Sequence, residues 1–391
     1  MEGGLLESIV EMPVQRGGPV RSLSSPRAER TAESNEGLDR FDGPLTAFLY
    51  ENLAFPILRP FSRINPLVVY YHTVADRELA HLDNLYSFRN VAQFKRDLDV
   101  LLKYFRPVSL QDFLASRRGE KKLPRNSFLL TFDDGLRECH EIAGPILKQK
   151  GIPATFFLCS AFVDNHDAAY DLKKSLLAKE LQMATRTRDE ENRVCAILES
   201  VGIREADISR GTLKVDYRRR AALDEIAKQL NFDFSQWLKE AQPYMSSEQC
   251  FELLKAGHTL GAHSVDHPRY CELSLEEQLQ QTRESVDFVR NRFGLEYAAF
   301  SFPGSDANVS LEFFRRAREE SRVDVFFGNR GFLDDSALDS VQRSSMEKTR
   351  MSAEGILGKA LVTRLARTVI GRGKVPRGAV SKIQAVRQSC V

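Results

Sequence analysis

Short, mostly apolar segments alternate with helix-patterned ones along most of this chain, and that alternation constrains the fold more than any other feature. Pro66–Tyr71, Phe128–Phe132, Ala154–Leu158, Thr259–His263, Tyr297–Phe302 and Val323–Phe327 are compact runs rich in β-branched and aromatic residues. A run without polar alternation reads as a strand covered on both faces. Between and after these runs, Val91–Tyr104, Glu141–Lys150, Ser247–Ala256, Leu275–Phe293 and Leu311–Glu320 place apolar residues at helical spacing. Strand, helix and strand joined by short turns, such as Gly151-Ile152-Pro153, imply parallel strands. The expected class is α/β.

The rhythm breaks in two kinds of place. Residues 165–245 are charged, helix-forming and poor in strand signals, so they read as a helical insertion within a unit spanning 66–350. At the ends, residues 1–40 lack any apolar period and read as a disordered tail. Residues 41–65 are aromatic and apolar, which suits a helix docked on the core or lying on a membrane surface. Residues 351–391 form a basic tail, since no acidic residue follows Glu354. That tail suits either a solvated helix with a frayed end or contact with anionic lipid. Peripheral membrane contact, if made, is expected through 41–61 or the basic tail 355–391.

Composition excludes several classes. Hydrophobic residues make up 42% of the 391 and charged ones 28%, ordinary for a globular chain. Lys plus Arg is 56 against 54 for Asp plus Glu, a net charge of +2, so no nucleic-acid partner is expected. No apolar run approaches the roughly 20 residues of a membrane-spanning helix. Glu2 and Glu7 fall where a secretory signal would be basic and then apolar. The six cysteines show no pairing rhythm, which suits free thiols. The expected location is the cytoplasm, with membrane association as a variant.

Reactive side chains gather at three strand ends, where catalytic groups of parallel α/β folds collect. Phe128–Phe132 ends in Asp133-Asp134-Gly135, Thr259–His263 ends in His263 with His267 four residues on, and Pro66–Tyr71 ends in His72. Two imidazoles and a carboxylate suit a divalent ion with an open position for water. The second carboxylate, beside that water, suits a general base. His81, His140, His166 and His258 lack such placement and read as surface or capping residues. Trp237, in the insertion, reads as core packing.

Thr131-Phe-Asp-Asp-Gly135 together with His263-Ser-Val-Asp-His-Pro268 resembles the polysaccharide deacetylases, the NodB-homology fold of carbohydrate esterase family four. The resemblance spans roughly residues 66–345 without the insertion. Val68-Val-Tyr-Tyr-His72 and Phe94–Lys103 are similar to the branch with a strand-plus-His segment before the first motif. The resemblance implies a distorted (β/α)7 barrel and metal-dependent hydrolysis of an N-acetyl, sometimes O-acetyl, group on a sugar or polysaccharide. It implies Asp133 as base and Asp134, His263 and His267 as ligands of a divalent ion, zinc foremost, with cobalt or nickel as alternatives. Ser264 would brace the loop between the two histidines.

Phe300-Ser-Phe-Pro303-Gly304 matches the third family motif in part. Ser301 stands where an Arg usually orients the base, and Gly304 where an aromatic is common; Pro303 and the Gly304 N–H would serve the oxyanion. No histidine follows His267, so the acid falls to His72. Arg343 and Met346, in Val341–Glu347, resemble a segment after the last barrel strand of relatives. These departures keep two other readings open: a glycan-binding barrel without turnover, and a metal-dependent amidohydrolase acting on a small amide.

Overall fold

The computed structural model describes residues 43–348 and 350–378. The tail expected at 1–40 and residues 379–391 lie outside them. The described chain opens on a helical run: α1 (Pro44–Leu49), a π-turn (Tyr50–Ala54), α2 (Phe55–Leu58) and a 3₁₀ turn (Arg59–Phe61). Then follow β1 (Leu67–Tyr71), α3 (Val91–Tyr104), β2 (Arg106–Pro107), α4 (Leu110–Arg117), β3 (Ser127–Phe132), α5 (Gly144–Lys150) and β4 (Ala154–Leu158). The insertion holds α6 (Tyr170–Met183), α7 (Arg188–Ser200), α8 (Ile208–Leu213), α9 (Ala221–Gln229) and α10 (Phe234–Ala241). The alternation resumes with α11 (Ser247–Lys255), β5 (Thr259–Ala262), α12 (Leu275–Phe293), β6 (Ala299–Ser301), α13 (Leu311–Ser321) and β7 (Val325–Gly328). It closes with β8 (Asp334–Asp335), β9 (Ser340–Gln342), β10 (Ser344–Ser345), α14 (Ala353–Val369) and β11 (Lys374–Val375).

The strands pair in the order β10-β1-β3-β4-β5-β6-β7-β9, all parallel, with β2 beside the start of β3. The two outer strands, β9 and β10, are consecutive in the chain and only Arg343 separates them. The sheet therefore curls until its edges meet at one residue, which gives a distorted (β/α)7 barrel. Side chains alternate along each strand. Val68, Leu129, Phe157, Val325 and Phe327 pack together inside, while Val69, Leu130, Phe132 and Phe156 pack outward against the helices. Gly261 leaves the interior room for Phe157, whose ring would lie 2.4 Å from any Cβ there.

The insertion has its own apolar cluster, including Leu177, Val194, Leu198, Leu223 and Ile226. Its α10 also lays Trp237 against the barrel's outer core, beside His81 at 5.6 Å between ring centroids. The segment from 351, read from sequence as a basic tail, holds α14, which buries Ile356, Leu357 and Leu361. Gly358 is where α14 meets the opening helical run: a Cβ there would lie 2.2 Å from the Tyr50 carbonyl oxygen. His81 and His258, read as surface or capping residues, are both buried; each fills a gap between elements whose contacts are remote in sequence.

Candidate active site

The candidate residues converge beyond the carboxyl ends of β1, β3 and β5. β3 hands the chain to Asp133 and Asp134, and Asp134 (φ 71°) and Gly135 (φ 70°) turn it sharply through left-handed conformations. Ser264 (φ 69°) and His267 (φ 61°) do the same in the loop after β5. Such conformations in residues other than glycine cost about 1 kcal/mol or more each and cluster at functional sites. Here they turn Asp134 and both imidazoles toward one point. The Ser264 hydroxyl accepts the His267 backbone N–H at 3.0 Å and so ties the loop on itself.

Asp134, His263 and His267 offer ligand atoms that all lie within 4.8 Å of one another. The Asp134 Oδ1 atom is 3.3 Å from Nε2 of both histidines. His263 Nδ1 lies 2.8 Å from the Ser301 carbonyl, to which it can only donate, so Nε2 carries the lone pair toward Asp134. His267 Nδ1 faces the Asp171 carboxylate at 3.6 Å, and Lys174 pairs with Asp171 from the next turn of α6. The Tyr86 hydroxyl donates to Asp134 Oδ2 at 2.9 Å. Asp134 Oδ1 is buried and accepts no hydrogen bond. A buried, unbonded carboxylate oxygen between two imidazoles is what a cation site looks like from its ligands, and carboxylate with two imidazoles fits zinc.

Asp133 is held quite differently. Arg343 grips it with two bonds, Nη1 to Oδ1 at 2.8 Å and Nη2 to Oδ2 at 2.7 Å. Both side chains are almost wholly buried. The same guanidinium donates to Ser301 Oγ (2.7 Å), Thr131 Oγ1 (2.9 Å) and the Gly328 carbonyl (3.1 Å), and Ser301 Oγ donates on to Asp133 Oδ1 at 3.1 Å. Burial would push the Asp133 carboxyl up, but Arg343 and neighbouring histidines outweigh it and hold it below the usual range. Burial opposes the charge on Asp134 in the same way, and His267 and His263 carry it well below that range.

His72, at the end of β1, places Nδ1 2.5 Å from Glu347 Oε2, and its backbone N–H donates to Glu347 Oε1 at 2.8 Å. Its ring stacks on Tyr86 at 4.2 Å, so Tyr86 links His72 to Asp134. Burial lowers the imidazole's proton affinity, but the Glu347 carboxylate outweighs it and raises the pKa to about 9. After β6 the loop carries Pro303, buried, and Gly304, exposed, with φ 61°. The Arg269 side chain lies over Gly304, whose carbonyl accepts from Asn329.

Sequence reasoning picked out Arg343 without giving it a partner, and passed over Glu347, Tyr86 and Asp171. The Val341–Glu347 segment was itself a signal for the first two; Tyr86 and Asp171 sit in ordinary polar surroundings that signal nothing locally.

Among known proteins, the family profile described as "Polysaccharide deacetylase" matches residues 120–197 and 221–318, on either side of part of the insertion. No curated protein matches the chain. Solved structures resemble it at low identity. The Streptococcus pyogenes deacetylase PplD, in complex with acetate, is 14% identical with a TM-score of 0.48, over 76% of this chain and 98% of that one. IcaB from Ammonifex degensii is 15% identical at a TM-score of 0.46, over 75% and 96%. BC0361, a polysaccharide deacetylase from Bacillus cereus, is 12% identical at 0.45, over 76% and 68%. The matched profile runs from before Asp133 and Asp134 past His263, His267 and Pro303, so the part of the chain that carries the candidate site is the part that matches the polysaccharide deacetylase family.

Proposed function

We propose that the protein removes the N-acetyl group from a glycan, with Asp133 as general base, His72 as general acid, and Asp134, His263 and His267 holding a divalent ion, zinc foremost. The observation that carries this is the division of labour between two adjacent aspartates. Asp133 is tied to an arginine and Asp134 faces two imidazoles, so one is held ionised for proton transfer and the other is left to a cation. An ion bound by the three ligands supplies Lewis acidity and lowers the pKa of water toward about 7.

The chain's own groups supply the rest. Asp133, oriented by Arg343 and Ser301, takes the proton from the attacking water. Arg343 also fills the role that the resemblance gives to an arginine at position 301, so the weak third motif is made up from the barrel seam. His72 is charged at neutral pH and fixed through Nδ1 by Glu347, so its Nε2 proton is the one available to the leaving amine. Pro303 and Gly304, in the loop after β6, stand as oxyanion candidates on the family resemblance.

The test is acetate release from an N-acetylated oligosaccharide, with and without chelator and restored metal. Turnover that survives complete metal removal would overturn the reading. Asp133→Asn should abolish turnover while metal still binds.

A further inference from the structure

The opening helical run presents a surface that inverts the usual rule for a helix on a water-soluble protein. Leu45, Phe48, Leu49, Leu53, Ile57 and Phe61 recur three or four residues apart and are all exposed, Phe48 by 59%, Ile57 by 57% and Phe61 by 80%. The two charged residues of 43–61 point the other way. Glu51 accepts from the Ser352 hydroxyl at 2.8 Å, and Arg59 covers the Tyr104 ring at 4.8 Å. What remains on the open face is apolar side chains, three prolines and Asn52. A contiguous exposed apolar stripe of this kind marks an interaction surface.

Its far end is bordered by basic residues. Arg63, exposed, stands two positions after Phe61, and exposed Lys103 lies 4.9 Å from the centroid of the same Tyr104 ring that Arg59 covers. The supporting helix α14 continues the pattern, with Leu365, Val369 and Ile370 exposed in its last turns. Arg372 and Lys374 come next, and no acidic residue follows Glu354.

We propose that this face docks in the plane of a lipid bilayer, with the apolar stripe in the acyl boundary and the basic flanks on anionic headgroups. Charge complementarity selects this occupant over a second copy of the chain, because a two-fold contact would bring the basic borders together. The segment before Asp42 has one apolar-rich stretch, Leu5-Leu6 and Ile9-Val10, which is broken by Glu7 and Ser8 and stands more than about thirty residues ahead of the stripe. No helix among the described residues is long and apolar enough to cross a membrane, so the contact lies on the surface.

The test is co-sedimentation of the full chain with vesicles of phosphatidylcholine alone or mixed with phosphatidylglycerol. Binding is expected with the anionic mixture and is expected to weaken as salt rises. Ile57→Asp with Phe61→Asp should reduce it by at least about tenfold, and Arg63→Glu with Lys103→Glu by a similar factor. These side chains are exposed, and circular dichroism should show the fold unchanged. Independently, Phe61→Trp should blue-shift its emission on anionic vesicles only. Three results would overturn the proposal: no anionic-lipid binding, binding unaffected by the paired aspartates, or a dimer of the free chain that the same aspartates dissolve while vesicles stay unbound.

Discussion

Arg343 makes five side-chain contacts inside the barrel, and two of them are the parallel bonds to Asp133. A lysine cannot reproduce that fork, because its ammonium is a point donor. Arg343→Lys should lower kcat about 10²-fold with KM little changed, read in steady-state kinetics at saturating metal. Arg343→Met leaves Asp133 buried and uncompensated, which costs about 3–5 kcal/mol in denaturant unfolding. Asp171 acts at one remove, on His267. Asp171→Asn should weaken metal binding about tenfold or more, measured by competition with a chromogenic chelator. Asp171→Glu should recover part of that loss, which a merely packing role would not explain. The paired aspartates, His72 and His263 were legible in the sequence because each stands at the end of an apolar run, and His267 because it follows His263 by four residues. Arg343 and Asp133 stand 210 positions apart, so their pairing is a fact of barrel closure that no local pattern encodes.

At the scale of elements, periodicity served the long pieces and failed the short ones. α3 and α12 carry full turns of apolar spacing, begin at Asn90 and Ser274 capping boxes, and stand where the pattern puts them. β9 and β10 are three and two residues long, too short for any alternation to show. Their strand state comes from the neighbours they pair with, β7 and β1. The docking of α14, rather than its helical state, was masked by its charge: its basic residues suggest a solvated helix, while Gly355 and Gly358 allow the opening run to approach its backbone. Gly358→Leu puts a side chain where the Tyr50 carbonyl lies and should destabilise the protein by about 2 kcal/mol or more. Faster proteolysis within 43–61 should accompany the lower midpoint of unfolding. Gly371→Leu, where nothing lies within 4 Å of the Cβ position, is a control for adding bulk, although its φ of 71° carries a separate backbone cost.

The whole molecule couples these elements through buried titratable groups, and their signs set its stability against pH. Burial lowers the pKa of His81 and His258 to about 4, Arg77 adding to the effect at His81. Their unfolded value is about 6.5. Below pH 6.5 the unfolded chain takes up protons that the folded chain refuses, so these two contributions are complete above 6.5 and are lost as pH falls toward 4. Each is worth at most about 3 kcal/mol over that window. Asp97 works against them: burial outweighs the opposing Arg89 guanidinium and pushes it up to about 6, so the folded chain binds that proton first and gains stability from pH 6 downward. Two histidines against one carboxyl leave a net loss on the acid side. His72, raised to about 9 by Glu347, gives the opposite limb, complete below 6.5 and lost as pH rises through 9. Stability should therefore peak between about pH 6 and 7. His258→Gln keeps an acceptor for the Ala154 N–H, now 3.3 Å from Nδ1, and removes one of the two acid-side groups. Denaturant midpoints between pH 4 and 9 should then fall less steeply below 6.5 than in the parent, with the alkaline limb unchanged. An acid limb of equal slope in both proteins would show that His258 does not carry it.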